Sequence, residues 1–86
     1  MNEKTVDRRV RKTRSQLRKC LSILLETKKI QNITVKELAQ MADINRGTFY
    51  LHYKDVYDLM EHIQSDLLKE FEDILTKIAP DTDNLV

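Results

Sequence analysis

The sequence predicts an all-α fold in which three short helices are followed by one long one. Three observations carry that prediction. Apolar residues recur at three-four spacing over most of the chain, which is the period of a helix with one buried face. Turn formers are scarce, with one Gly and one Pro in 86 residues, so hairpins built on glycine turns are nearly excluded. The breaks between periodic runs fall at capping residues, where helices begin.

Residues 1–9 are polar apart from Val6 and are expected to form a flexible basic arm. From Val10 onward the run Leu17, Leu21, Leu24 and Leu25, broadened by Cys20 and Ile23, predicts helix one near 10–28. Gln31-Asn32-Ile33 interrupts it. Thr34-Val35-Lys36-Glu37 has the form of a capping box, in which the Thr34 hydroxyl accepts from the Glu37 amide and the Glu37 side chain returns to the Thr34 amide. Helix two then spans 35–42 and buries Leu38, Ala39 and Ala42.

Asp43 and Ile44 make a short turn, and Asn45 is a good N-cap for a third helix ending near His52. Two turns are too few to persist without docking, and Phe49 is the expected anchor. Lys54-Asp55 is the next break, with Asp55 as cap. The last helix carries Val56, Leu59, Met60, Ile63, Leu67, Phe71, Ile74, Leu75 and Ile78 on one face up to Pro80, a length of about 35 Å. Three short helices cannot cover so long a stripe. Phe71, Ile74, Leu75 and Ile78 are therefore expected to protrude, and the tail after Ala79 reads as a loop.

A single small domain of this size buries roughly 60 to 65% of its unfolded surface, so no small-molecule pocket is expected within these 86 residues. One cysteine, Cys20, offers neither an intrachain disulfide nor a multi-cysteine zinc site. No run approaches 18 uncharged apolar residues, and no signal peptide is visible. A cytoplasmic protein without membrane contact is the expectation. The net charge of +1 conceals a strong polarity. Residues 1–30 carry a balance of +7, residues 31–54 of +1 and residues 55–86 of −7. The run Arg8-Arg9-Val10-Arg11-Lys12-Thr13-Arg14 dominates the positive end. What matters for a polyanionic partner is the field on one face, not the total.

Helices two and three, with the tight turn between them, form a helix-turn-helix over residues 34–53, so the head has a homeodomain-like arrangement. In that motif the second helix enters the DNA major groove. The residues suit such a role. Arg46 and Asn45 can reach base edges, arginine pairing with guanine and asparagine with adenine. Gly47 costs about 1 kcal/mol inside a helix relative to alanine, and close approach of backbone to DNA is a sufficient reason for it. Thr48 offers a methyl and a hydroxyl, while Tyr50, His52, Tyr53 and Lys54 can donate to phosphate oxygens. Thr34 and the exposed amides beginning at Val35 make a second phosphate seat, and the arm's arginines, Arg14 among them, would lie on flanking phosphates.

Each feature also has a structural reading. Thr34 caps a helix with or without DNA, Tyr50 and Tyr53 could be packing residues with wet hydroxyls, and a basic run can be a solvated arm. His62 stands four residues before Asp66, but two ligands do not make a metal site. Cys20 lies on an apolar stripe, where an inert thiol is expected. No paired carboxylates, nucleophile motif or glycine-rich phosphate loop is present, so no enzyme and no cofactor are expected.

Thr13-Arg14, Thr34-Val35, Leu38-Ala39, Ala42, the run Gly47-Thr48-Phe49-Tyr50-Leu51-His52-Tyr53 and Asp58-Leu59-Met60 together resemble the N-terminal DNA-binding domain of the TetR (tetracycline-repressor-like) family of bacterial transcriptional regulators. The resemblance covers about residues 10–65. It implies a homodimeric repressor that reads a palindromic operator in double-stranded DNA, with a separate helical C-terminal domain for inducer and dimerisation. Residues 10–70 would then be the DNA-binding domain, and 71–86 the end of helix four and a loop toward a C-terminal domain absent from these residues. Some positions depart from the family pattern. Lys29 and Asp43 stand where glycine is usual, Val56 replaces a phosphate-contacting lysine, and Leu25 replaces a phenylalanine. A second class of function fits the same sequence, a helical protein-interaction module that uses the apolar stripe of the last helix.

Overall fold

The computed structural model describes the backbone of residues 3–78 and the side chains from Val6 to Ile78. Its elements are α1 (Glu3–Leu25), a short 3-10 helix (Ile30–Asn32), α2 (Val35–Met41), α3 (Arg46–His52) and α4 (Val56–Ile78). The fold is all-α, a helix-turn-helix head with a long fourth helix. The loop expected after Ala79 lies outside the described residues, as do residues 1 and 2 of the arm.

The starts of α2, α3 and α4 coincide with the capping residues of the sequence, whereas α1 begins at Glu3, seven residues before Val10. The arm from Glu3 onward is helical because its Lys and Arg residues are good helix formers. Val6 and Val10, and likewise Asp7 and Arg11, also stand at supportive i,i+4 spacing. At the other end α1 stops at Leu25 rather than near 28. There the Thr27 and Lys28 amides both donate to the Leu24 carbonyl (3.2 and 2.9 Å), tightening the last turn. The 3-10 helix that follows seats Ile33 in the core. Lys29 is extended (φ −79°, ψ 151°), so no left-handed residue is needed at that position.

The turn between α2 and α3 does need one. Asp43 has φ 58°, the Ile44 amide donates to the Ala39 carbonyl (2.9 Å) and the Asp43 amide to Gln40 (3.2 Å). This is a Schellman ending with Asp in the position glycine usually takes, and aspartate is one of the few side chains that tolerates it. Ile44 then packs back on the core.

The core is small. Leu17 and Leu21 of α1, Leu38 of α2, Phe49 of α3 and Leu59 of α4 are fully buried, with Cys20, Ile33, Ala42, Tyr53 and Val56 around them. Helix α2 packs against both α1 and α3. An ion pair between Arg18 and Asp66 ties α1 to α4. Beyond Asp66 no described residue covers the α4 stripe, and Phe71, Ile74, Leu75 and Ile78 are exposed together with Leu67 and Leu68.

Truncating Phe49 should be the most damaging single core change, because it removes the side chain that seats α3. Phe49→Ala should cost about 3–5 kcal/mol, read as the urea midpoint of the helical circular-dichroism signal. Phe71→Ala, on the uncovered part of α4, should move that midpoint by no more than about 0.5 kcal/mol equivalent.

Candidate nucleic-acid interface

Helix α3 has seven residues and two faces. Phe49 is inside, and Tyr53, its C-cap, is 3% exposed. On the other side Arg46, Gly47, Tyr50 and Leu51 are exposed, a spacing of i, i+1, i+4 and i+5 that defines one outward stripe, and Lys54, exposed just beyond the helix, follows on extended backbone. The Tyr50 ring meets Phe49 edge-on at 5.5 Å and 88°. Its base is therefore fixed by the core while its hydroxyl end reaches outward.

Capping decides what the polar residues at the start of α3 can do. Asn45 Oδ1 accepts from the Thr48 amide (2.7 Å) and from the Thr48 hydroxyl (3.1 Å). Bidentate readout of adenine needs that oxygen as well as the amide nitrogen. In this geometry Asn45 is a helix cap rather than the base reader expected of it. Gly47 has a local reason besides any ligand, since a Cβ at that position would lie 3.2 Å from the same Oδ1. Tyr53 is likewise a packing residue first: its ring lies 5.8 Å from Phe49 and 5.2 Å from His62.

The expected capping box at α2 is half formed. Thr34 Oγ1 accepts from the Glu37 amide (3.1 Å), but the Glu37 carboxylate takes the Lys28 ammonium (2.8 Å) instead of returning to Thr34. A charged donor from the preceding turn makes a stronger bond than a backbone amide. Reciprocal capping occurs instead at α4. The Asp58 amide donates to Asp55 Oδ1 and the Lys54 amide donates to Asp58 Oδ2, both at 2.8 Å. Two carboxylates thus occupy that helix start, and Val56 is buried.

Exposed cations lie along α1, one of them beside α3. Arg14 lies close enough to His52 for its charge to act on the imidazole, and Arg8, Arg9, Arg11 and Lys12 continue along α1. Arg11, Arg14, Ser15 and Arg18 line a shallow groove there. Arg18 and Lys28 are engaged by Asp66 and Glu37. Thr34 is exposed and Val35 half-buried at the start of α2. Two outward residues were not among the sequence candidates: Lys36, beside Thr34, and Leu51, the most exposed large apolar side chain described, at 83%. The signal for Leu51 was its phase, out of step with both Phe49 and Tyr53.

Cys20 is buried, and that burial raises its thiol pKa against the lowering effect of Lys19, the environment of an unreactive thiol. His62 Nδ1 approaches the Asp58 carbonyl at 2.8 Å, while Asp66 faces Arg18. No cluster of three metal-ligating side chains occurs among the described residues, and no described helix is long and apolar enough to cross a membrane.

The long α1, the two short helices α2 and α3 joined by a left-handed turn, and the outward stripe of α3 form a helix-turn-helix head. Over 53 residues, 62% of its length, the chain is 38% identical to the uncharacterized HTH-type transcriptional regulator YxbF of Bacillus subtilis (strain 168). The match occupies 14% of that protein's length. No protein-family model and no solved structure matches the chain.

His52 gives the interface a measurable pH signature. Burial first, and the Arg14 charge second, hold its pKa below the ordinary imidazole value. The unfolded chain therefore takes up the proton first as pH falls below about 6.5. Stability present at neutral pH should decline from there through the depressed folded value, and His52→Gln should remove that part of the slope. In an NMR titration, Arg14→Gln should raise the His52 midpoint; no movement would mean that burial alone sets it.

Proposed function

We propose that this chain contains the DNA-reading head of a bacterial transcriptional regulator of the TetR type. In this reading it is a cytoplasmic repressor that binds a palindromic operator as a homodimer. The observation that carries the reading is the outward stripe of α3, with Arg46, Gly47, Tyr50 and Leu51 displayed, Phe49 locked inside and Lys54 exposed just beyond the helix end. Arg46 reads a guanine edge in the major groove. Lys54, Tyr50 and the Thr34 hydroxyl hold phosphates, with Arg14 and the exposed α1 cations on the flanking backbone. His52, half-buried beside Arg14, adds a phosphate donor, while Tyr53 and Asn45 shape the helix that the others use. Two such heads related by a twofold axis would place their α3 helices about 34 Å apart, one turn of duplex.

The similarity to an HTH-type regulator and the Gly47–Tyr53 run support this reading, and no catalytic role is proposed. Binding by one head alone lacks the gain that comes from linking two half-sites. A second reading rests on α4, whose exposed Leu67, Leu68, Phe71, Ile74, Leu75 and Ile78 would dock a partner protein.

Retention of duplexes from a mixed-sequence pool at two salt concentrations separates the two. Enrichment of a palindrome with steep salt dependence supports the repressor-like reading. No retention at low salt would defeat it and favour the α4 surface, in which case Ile74→Asp should abolish partner capture. On an enriched duplex, Arg46→Ala should lower sequence discrimination by about 1–3 kcal/mol. Lys54→Ala should weaken all sequences alike and reduce the salt slope by about one.

A further inference from the structure

We infer that Gly47 and Leu51 form a notch on α3 that takes the 5-methyl group of a pyrimidine in the major groove. The inference rests on the proposed DNA-reading role and assigns a specificity element within it.

Leu51 is 83% exposed, more than any other large apolar side chain described, yet it stands in the middle of the displayed stripe. An apolar side chain so placed gains nothing until a partner covers it. One helical turn earlier is Gly47, the only residue of α3 without a side chain. Side chains on a helix lean toward its start, so Leu51 points toward the turn that carries Gly47, with no Leu51 side-chain atom within 4 Å of where a Gly47 Cβ would stand. Apart from Asn45 Oδ1 at 3.2 Å, a Cβ on Gly47 would meet no atom within 4 Å outside its immediate neighbours and the helix's own backbone. The floor of the notch is therefore open. Tyr50, braced edge-on by Phe49, stands beside it.

Polar groups on the stripe match polar base edges, but they gain nothing from a methyl. The 5-methyl of a pyrimidine is the one apolar feature of the major groove, and side chains read it by apolar contact. Thymine and 5-methylcytosine carry the same group, so either fits the notch.

The test uses the duplex recovered by selection, with each thymine replaced singly by deoxyuridine, which lacks only the methyl, and each cytosine singly by 5-methylcytosine. Wild-type protein should lose about three- to fivefold in affinity at one thymine per half-site, or gain a similar factor at one methylated cytosine if the notch faces cytosine. Leu51→Ala should bind the methylated and unmethylated forms at that position equally, with its helical signal and unfolding midpoint unchanged. Gly47→Ala should shrink the wild-type ratio by partly filling the floor. Indifference of wild type to every replacement, or an undiminished methyl effect in Leu51→Ala, would overturn the notch while leaving the DNA reading intact. Failure to retain any duplex would overturn both.

Discussion

Everything displayed by this molecule depends on the seating of Phe49. A seven-residue helix has no stability of its own in water, since nucleation is costly and so few bonds are gained. Helix α3 exists because Phe49 is fully buried among leucines from the other three helices, and because Tyr53 closes its end against the same core. The position of Phe49 then fixes which way every other residue of α3 points. With Phe49 inward, Gly47 and Leu51 lie on the opposite face of the helix, and Arg46 and Tyr50 are exposed beside them. The outward chemistry is thus a consequence of one buried ring.

A second level of order comes from the helix caps, which assign the short polar side chains before any ligand does. Asn45, Thr34, Asp55 and Asp58 each satisfy amides at a helix start, where the backbone leaves donors without partners. A group so engaged is costly to redirect, because the amide it abandons would be left unsatisfied. The short polar side chains at the helix starts are thus committed to the backbone, while Arg46, Tyr50 and Leu51 of α3 remain exposed with no such commitment.

The sequence made the fold legible where periodicity and caps coincide. Thr34, Asn45 and Asp55 each mark a helix start in the structure, and the left-handed Asp43 stands where a substitute for glycine was expected. It misled where a basic run was read as an arm, since residues 3–9 continue α1, helped by intrinsic propensity and i,i+4 pairs. It also misled where a side chain had two possible partners. The reach of Glu37 to Lys28 and the commitment of Asn45 to Thr48 depend on tertiary distances that spacing does not encode. The burial of Tyr53 is a case of the same kind: an aromatic at a helix end faces in or out according to what α4 brings near it, here His62. Leu51 was readable from phase alone, but an apolar residue between two tyrosines is easily assigned to the core.

The charge asymmetry of the chain acquires a spatial meaning only through the contact between α1 and α4. Arg18 and Asp66 join the basic helix to the acidic one, and this pairing of opposite charges consumes the cation lying deepest in the bundle. Further along α1 toward its start, Arg14, Lys12, Arg11, Arg9 and Arg8 remain exposed. Further along α4 toward its end, Glu70, Glu72 and Asp73 are exposed. A polyanion approaching such a dipolar molecule is drawn to the α1 and α3 side and repelled from the far end of α4, at ranges set by a Debye length near 8 Å in physiological salt. The acidic half also carries the uncovered apolar stripe, so the surface that suits an apolar partner lies where a nucleic acid would be least welcome. Polarity of charge and polarity of hydrophobicity therefore point the same way, because the acidic far part of α4 is also the part that leaves its apolar side chains exposed.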